Sequence, residues 1–309
     1  MISKRQLLKL SAALVALQSV NARTDDSVAP APTDDVIRRA IPSSGELLPV
    51  IGLGTSGTFE LPSDPATLEQ LMVLLQAFFT GKGCVIDSSP MYGEAEARVG
   101  DVLRAMPDPA PVFAATKVWT RGKEAGITQM EASARRMNVP QLDLIAVHNL
   151  QDWEIQLETL KAWKAEGKVR YIGITTSHGR YHQDLLELMR TQPLDFVQFS
   201  YNIEDRTAEE QLLPLAQDRG IAVMINRPYQ RGSLFSRSKG KDLPTLATEL
   251  GCSSWAQFYL KFILAHPGVT TIIPATSNLD HMMDNMMANA GPVPDEIQRQ
   301  EMLRVFASL

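Results

Sequence analysis

The sequence predicts an α/β chain folded as a (β/α)8 TIM barrel behind an N-terminal β-hairpin, on three observations. Short apolar segments bounded by turn residues recur eight times, as strands buried on both faces do. Longer stretches with apolar residues at helical spacing alternate with them. The residues best suited to chemistry fall at the trailing ends of the apolar segments, where such barrels carry their sites.

The first 35 residues are expected to stand apart from the barrel. Lys4, Arg5 and Lys9 form a basic start, followed by apolar Leu10–Leu17 and small residues ending at Ala22. That order of charge, short apolar run and small-residue site is a secretory signal pattern, expected over residues 1–22. The apolar run is too short to span a bilayer, so no membrane anchor is expected in the mature form. Ser3–Lys9 resembles a twin-arginine signal, with Lys4 where the first arginine usually stands. The resemblance implies the twin-arginine export machinery as a partner and a periplasmic location; a cytoplasmic protein with an amphipathic start is the alternative. Residues 23–35, rich in Asp, Ala, Pro and Thr, read as a flexible linker. Residues 36–309 are expected to form the barrel.

Val36–Ile37 and Leu47–Leu48 flank Pro42–Gly45 as a hairpin. Strands are expected at Pro49–Leu53, Cys84–Asp87, Val112–Lys117, Leu142–Val147, Val169–Ile174, Phe196–Phe199, Ile221–Ile225 and Val269–Ile273. Helices are expected at Ala66–Phe79, Glu94–Met106, Ala125–Met137, Trp153–Glu166, His182–Arg190, Ala208–Asp218 and Asn278–Ala290. Two more, Leu243–Leu250 and Ser254–Ala265, fall between the last two strands, and an amphipathic helix spans Asp295–Phe306.

Gly52, Gly54 and Gly57 satisfy the G-x-G-x-x-G pattern of an open dinucleotide-binding sheet. That pattern works by opening a helix onto a phosphate, and here Thr58–Pro65 intervenes before any helix. The net charge of −5 does not supply the basic stripe of a nucleic-acid surface. Cys84 and Cys252 are too few for a disulfide framework or a four-cysteine zinc site. His178 and His182 are four apart but lack a third ligand, so no metal site is expected. By alternation with Asp87, Cys84 is expected to face the outer helices.

The second strand ends at Asp87, with Tyr92 in the turn after it; the third ends at Thr116–Lys117 and the fourth reaches His148. An acid, a phenol, an amine and an imidazole thus converge from neighbouring strands. A phenol with a pKa near 10 gives up its proton more readily beside an ammonium. A carboxylate keeps that ammonium charged, and an imidazole can hydrogen-bond a carbonyl oxygen. These are the parts of a proton-donating site beside a carbonyl, and the hydride must then come from a nicotinamide. Lys117 alone at a strand end would also suit a Schiff-base lyase.

Asp87-Ser-Ser-Pro-Met-Tyr-Gly-Glu-Ala-Glu-Ala-Arg-Val-Gly100 resembles the signature of the aldo-keto reductase family, as do Thr116–Lys117 and the strand reaching His148. The resemblance runs from about Leu48 to Ala290. It implies reduction of an aldehyde or ketone, or the reverse, with Asp87, Tyr92, Lys117 and His148 as the catalytic residues. It also implies that Tyr201 stacks on the nicotinamide, with Gln198 near its carboxamide. The adenosine phosphates would fall to Pro274, Thr276, Ser277, Asn278 and Asn285, where a helix N-terminus suits an anion. Gly54 and Thr55 would set backbone around the cofactor. NADP(H) is favoured over NAD(H), although Ala275 and Thr276 stand where many relatives place a basic residue. Some relatives are non-catalytic nicotinamide sensors that bind partners, which is the other alternative.

Phe59 and Trp119 follow strands one and three and are expected to line an apolar pocket for a small carbonyl substrate. Arg227 and Arg231, after the seventh strand, are placed to meet the cofactor phosphates or an acidic substrate.

Overall fold

A computed structural model describes residues 36–309; the signal and linker expected over residues 1–35 lie outside the described residues. The described chain opens with a hairpin, β1 (Arg38–Ala40) and β2 (Leu47–Pro49), paired antiparallel. Eight strands then alternate with helices: β3 (Leu53–Gly54), β4 (Val85–Asp87), β5 (Phe113–Val118), β6 (Leu142–His148), β7 (Val169–Thr175), β8 (Phe196–Ser200), β9 (Ala222–Asn226) and β10 (Thr271–Ile272). Each is parallel to its sequential neighbour.

Parallel bridges from Ile51 to Ile272 and from Gly54 to Ala275 bring the first and last strands together, closing the ring. Glycine is required at that seam, because a Cβ on Gly54 would sit 2.7 Å from the Ile273 carbonyl oxygen. Gly54 therefore serves barrel closure, and its N–H is spent on the Pro274 carbonyl.

The helices are α1 (Pro65–Thr80), α2 (Ala95–Ala105), α3 (Lys123–Met137), α4 (Trp153–Ala165), α5 (His182–Thr191), α6 (Leu212–Arg219), α7 (Leu234–Ser238), α8 (Thr245–Glu249), α9 (Trp255–Leu264), α10 (Leu279–Met287) and α11 (Glu296–Ala307). Side-chain chemistry marks the starts of some of them. Asp64 accepts from the Ala66 and Thr67 N–H groups ahead of α1, and Asp295 with Gln298 forms a capping box on α11. The long interval after Gly57 carries no helix until Pro65, so the glycine pattern there does not cradle a phosphate.

Alternation along the strands sorts two cores. Val85, Phe113, Leu144, Tyr171, Phe196, Ala222 and Met224 point into the barrel, joined by Ile41 and Leu48 of the hairpin region. The phenol of Tyr171 donates to Glu46 and accepts from the Ser44 hydroxyl in the hairpin turn, tying the hairpin to the N-terminal end of the barrel. Ile86, Ala114, Ile145, Ile172, Val197 and Val223 point outward under the helices. The apolar inward layer thus fills the bottom of the barrel, and the next inward positions are polar and lie at the top. Cys84 is half-buried against the inner cluster rather than facing the helices, and burial pushes its thiol up to about 11.

Candidate active site

The inward register at the C-terminal end reads Asp87 on β4, Lys117 on β5, His148 on β6, Thr175 on β7, Gln198 on β8 and Asn226 on β9. Asp87 pairs in register with Ala115, Lys117 with Ala146, His148 with Thr175, and Thr175 with Gln198. The barrel's own geometry gathers these side chains into one ring.

Lys117 is fully buried, and its Nζ donates to Asp87 Oδ2 at 2.7 Å and to the Ser88 carbonyl at 2.6 Å. Burial works against the ammonium, but Asp87 and Tyr92 outweigh it and leave the lysine pKa raised. A Schiff-base lysine must shed its proton to attack a carbonyl, and this one is held charged and saturated by its neighbours. The lyase alternative has no support in that arrangement.

Tyr92 lies in the turn after β4, its backbone N–H bonded to the Ser89 carbonyl. Lys117 Nζ is 5.1 Å from the centre of its ring. Burial raises the phenol pKa, and Lys117 pulls against that rise. The residue as a whole is only half-buried; the desolvated part is its hydroxyl end. The net result is a phenol that keeps its proton through neutral pH. His148 meets the Tyr92 ring edge to face, with centroids 5.9 Å apart. Burial, with Lys117 adding to it, pushes the imidazole down to about 3, so it is neutral.

Gln198 donates to Asp87 Oδ1 at 3.1 Å, and its carbonyl accepts from Thr175 at 2.8 Å and Asn226 at 3.3 Å. A chain of hydrogen bonds thus runs from Asn226 through Gln198 to the Asp87–Lys117 pair. Beside it, Asn149 Oδ1, Thr176 Oγ1, Ser200 Oγ and Asn226 Oδ1 are buried without a partner among the described residues. Four unsatisfied polar atoms at four consecutive strand ends fit a flat, amide-bearing ring, as a nicotinamide is. Sequence reading missed Thr175, Thr176, Ser200 and Asn226, although inward alternation along β7, β8 and β9 is a signal that identifies three of them.

Several expected contacts need correction. Tyr201 cannot stack on a nicotinamide in this arrangement. Phe196, Gln198 and Ser200 point inward, so Tyr201 points outward, where its ring lies beside Phe262 and His266. Its phenol donates to Glu209 and accepts from Arg299 of α11. Thr55 is also spent inside the protein: its hydroxyl meets the Asp87 carbonyl and Ser88 Oγ, and its N–H meets the same Asp87 carbonyl. It braces the end of β4. Phe59 is 0% exposed, because a turn onto the Thr55 carbonyl folds it back into the outer core, so it does not line a pocket. Trp119 remains 38% exposed at the rim.

Pro274, Thr276, Ser277 and Asn278 lie together before α10. The Thr276 hydroxyl accepts from the Asn278 N–H, the Ser277 carbonyl accepts from Gln70, and Asn278 caps the helix by accepting from the His281 N–H. Asn285 is buried, its Oδ1 accepting from the Tyr229 phenol at 2.6 Å. Arg227 is half-buried, with Nη2 3.5 Å from Ser177 Oγ. Neither Arg227 nor Arg231 has a carboxylate within salt-bridge distance among the described residues. Among the described residues no helix is long and apolar enough to cross a membrane.

Known proteins resemble this chain in sequence and fold. The sequence model of the aldo/keto reductase family matches residues 50–300. Methylglyoxal reductase YeaE of Escherichia coli is 28% identical over 259 residues, covering 80% of this chain and 88% of that protein. Pyridoxal 4-dehydrogenase of Microbacterium luteolum is 22% identical over 84% of this chain and 94% of its own. Among solved structures, an aldo/keto reductase from Klebsiella pneumoniae in complex with NADP and acetate superposes with a TM-score of 0.70. It is 26% identical, over 85% of this chain and 93% of that one. The chain belongs to the aldo/keto reductase family and is an NAD(P)H-dependent oxidoreductase that reduces a carbonyl.

Proposed function

We propose that Tyr92 delivers the proton in the reduction of a small aldehyde or ketone, with Lys117, Asp87 and His148 completing the site. The observation that carries this reading is the buried Asp87–Lys117 pair beside a protonated phenol and a neutral imidazole. A bound nicotinamide supplies the hydride for the carbonyl carbon. His148 orients the carbonyl by a hydrogen bond to its oxygen, and Tyr92 protonates that oxygen as negative charge develops on it. Lys117 stabilises the phenolate left behind, and Asp87 keeps Lys117 charged. Methylglyoxal is the first substrate to try, because two relatives are named for its reduction. Carbonyl-dependent oxidation of NADPH tests the assignment. Tyr92→Phe is expected to lower turnover by about 10²-fold or more while cofactor affinity stays near wild type; full activity in that variant removes Tyr92 from the role.

The dinucleotide is assigned to the polar atoms of Thr176, Ser200 and Asn226 at its nicotinamide end, with Gln198 beside its carboxamide. Its phosphates go to the Thr276–Asn278 turn, with Asn285 nearby. NADP(H) is the preferred form in this reading, supported by solved relatives that carry NADP or NADPH. One relative is named NADH-specific, so the decisive measurement is fluorescence titration of the same protein with NADPH and NADH. Tighter NADH binding reverses the preference.

Export by the twin-arginine route is proposed on the pattern of residues 1–22. Because that route carries folded protein, it would let the enzyme leave with its cofactor aboard. A reporter fused after residue 35 is expected to reach the periplasm only in cells with a working twin-arginine translocase; retention in the cytoplasm of normal cells refutes it.

A further inference from the structure

The neutral imidazole of His148 has one N–H to place, and the nitrogen that carries it decides whether the ring donates to a carbonyl or accepts. Ser89 Oγ lies 3.0 Å from His148 Nδ1. The same oxygen accepts the backbone N–H of Met91 at 3.1 Å. Ser89 is fully buried, and a hydroxyl has one proton to give. Among the described residues, Nδ1 is the acceptor in reach of that proton. The reverse assignment, with Nδ1 donating to Oγ, leaves the serine proton buried without an acceptor, a costly arrangement.

We propose that Ser89 is a positioning residue that sets the tautomer of His148, donating to Nδ1 so that the ring hydrogen sits on Nε2, where it can be given to a carbonyl oxygen. Ser89 acts on both sides of the site at once. Its carbonyl accepts the Tyr92 N–H, its hydroxyl holds the Met91 N–H, and its proton fixes His148. The turn that carries the proton donor is thereby locked to the ring that orients the carbonyl. Burial keeps the ring neutral over the working pH range, so the tautomer and not the charge is the variable that Ser89 controls. The catalytic consequence rests on the reading of His148 given above; the tautomer does not.

The test uses the full-length protein bound to NADP+, labelled with ¹⁵N-histidine, and reads the protonated nitrogen of His148 from long-range ¹H–¹⁵N correlations. Wild type is expected to show Nε2–H. Ser89→Ala is expected to lose that fixed tautomer and about tenfold in kcat for methylglyoxal, with the NADPH Kd unchanged, and Ser89→Thr to restore both. An Nδ1–H signal in wild type overturns the proposal, as does Ser89→Ala that keeps both the Nε2–H signal and full turnover. His148→Ala separates the two readings. If it leaves turnover intact, the role given to His148 fails while the tautomer assignment stands on its spectrum. If it removes turnover, Ser89→Ala added to it should cost nothing further, and an extra loss overturns the claim that Ser89 acts through the ring.

Discussion

At the ends of β4 and β5, Asp87 and Lys117 hold one another, and Ser88, Gln198 and Thr55 brace them. At the ends of β7, β8 and β9 the buried atoms Thr176 Oγ1, Ser200 Oγ and Asn226 Oδ1 have no partner among the described residues, nor has Arg227 just beyond a carboxylate among them. The first region is complete without a ligand, and the second is not. The difference separates two tasks. Proton delivery needs groups preset against one another before substrate arrives. Ligand binding needs polar groups left open, since a donor already satisfied gains little from a new partner.

Substitutions in the preset region should therefore cost most. Lys117→Met leaves the Asp87 carboxylate buried without its counter-ion, an arrangement that typically costs about 3–5 kcal/mol. It also removes the charge that stabilises a Tyr92 phenolate. Turnover is expected to fall by about 10³-fold, and the urea midpoint to drop well below that of wild type. A variant that loses turnover but not stability would show that the pair is catalytic without being structurally preset.

The pH dependence sharpens the same point. The Tyr92 phenol pKa is raised, chiefly by burial, so its proton is held to a higher pH than in free tyrosine. Reduction by the proposed route requires that proton. Its rate is expected to stay level through neutral pH and to decline only above the ordinary phenol value near 10. Oxidation of the alcohol, which needs the phenolate, should instead rise towards alkaline pH. His148, neutral down to about 3, contributes no step near neutrality. A clear break in kcat/KM between about pH 6 and about pH 7 would mean that the imidazole titrates there.

How much of this could be read from the sequence follows the same division. The preset residues were legible because each is a distinctive residue type at a strand end, and strand ends show in the apolar pattern. The open residues were not. Ser200 and Asn226 are ordinary polar residues, and only the sorting of β8 and β9 into inward and outward faces gives them meaning; Thr176 falls one step off the inward register of β7, so alternation does not pick it out. The same sorting explains the failures. Tyr201 looked like a stacking residue by its place after a strand, but one step of alternation turns it from the barrel interior to the helices. Phe59 looked like a pocket-lining residue because it follows β3, but a turn through the Thr55 carbonyl returns it to the core.

In the open region a smaller effect is expected. Arg227 adjoins the strand ends to which the proposed function assigns the dinucleotide, and, half-buried with no carboxylate in salt-bridge distance among the described residues, it has room to take an anion. Arg227→Gln is expected to weaken NADPH binding about tenfold and to flatten its salt dependence, with kcat nearly unchanged. An increase in KM confined to acidic carbonyls, with the NADPH Kd unchanged, would instead assign Arg227 to the substrate.

The smallest functional effect is expected at Tyr201, and it tests the corrected orientation directly. Tyr201→Phe removes a phenol that donates to Glu209 and accepts from Arg299, while preserving the ring beside Phe262 and His266. Glu209 and Arg299 still have each other as an ion pair, so the loss is limited to the phenol's own hydrogen bonds. Stability should fall by about 1–2 kcal/mol, seen as a lower urea midpoint with an unchanged slope. The NADPH Kd should not move, because the ring faces α9 and α11 and not the barrel interior. Tyr201→Ala separates the two orientations further: a ring packed under the helices costs several times more stability when deleted, whereas a ring that stacks on a nicotinamide would cost cofactor affinity and leave the urea midpoint almost where it was.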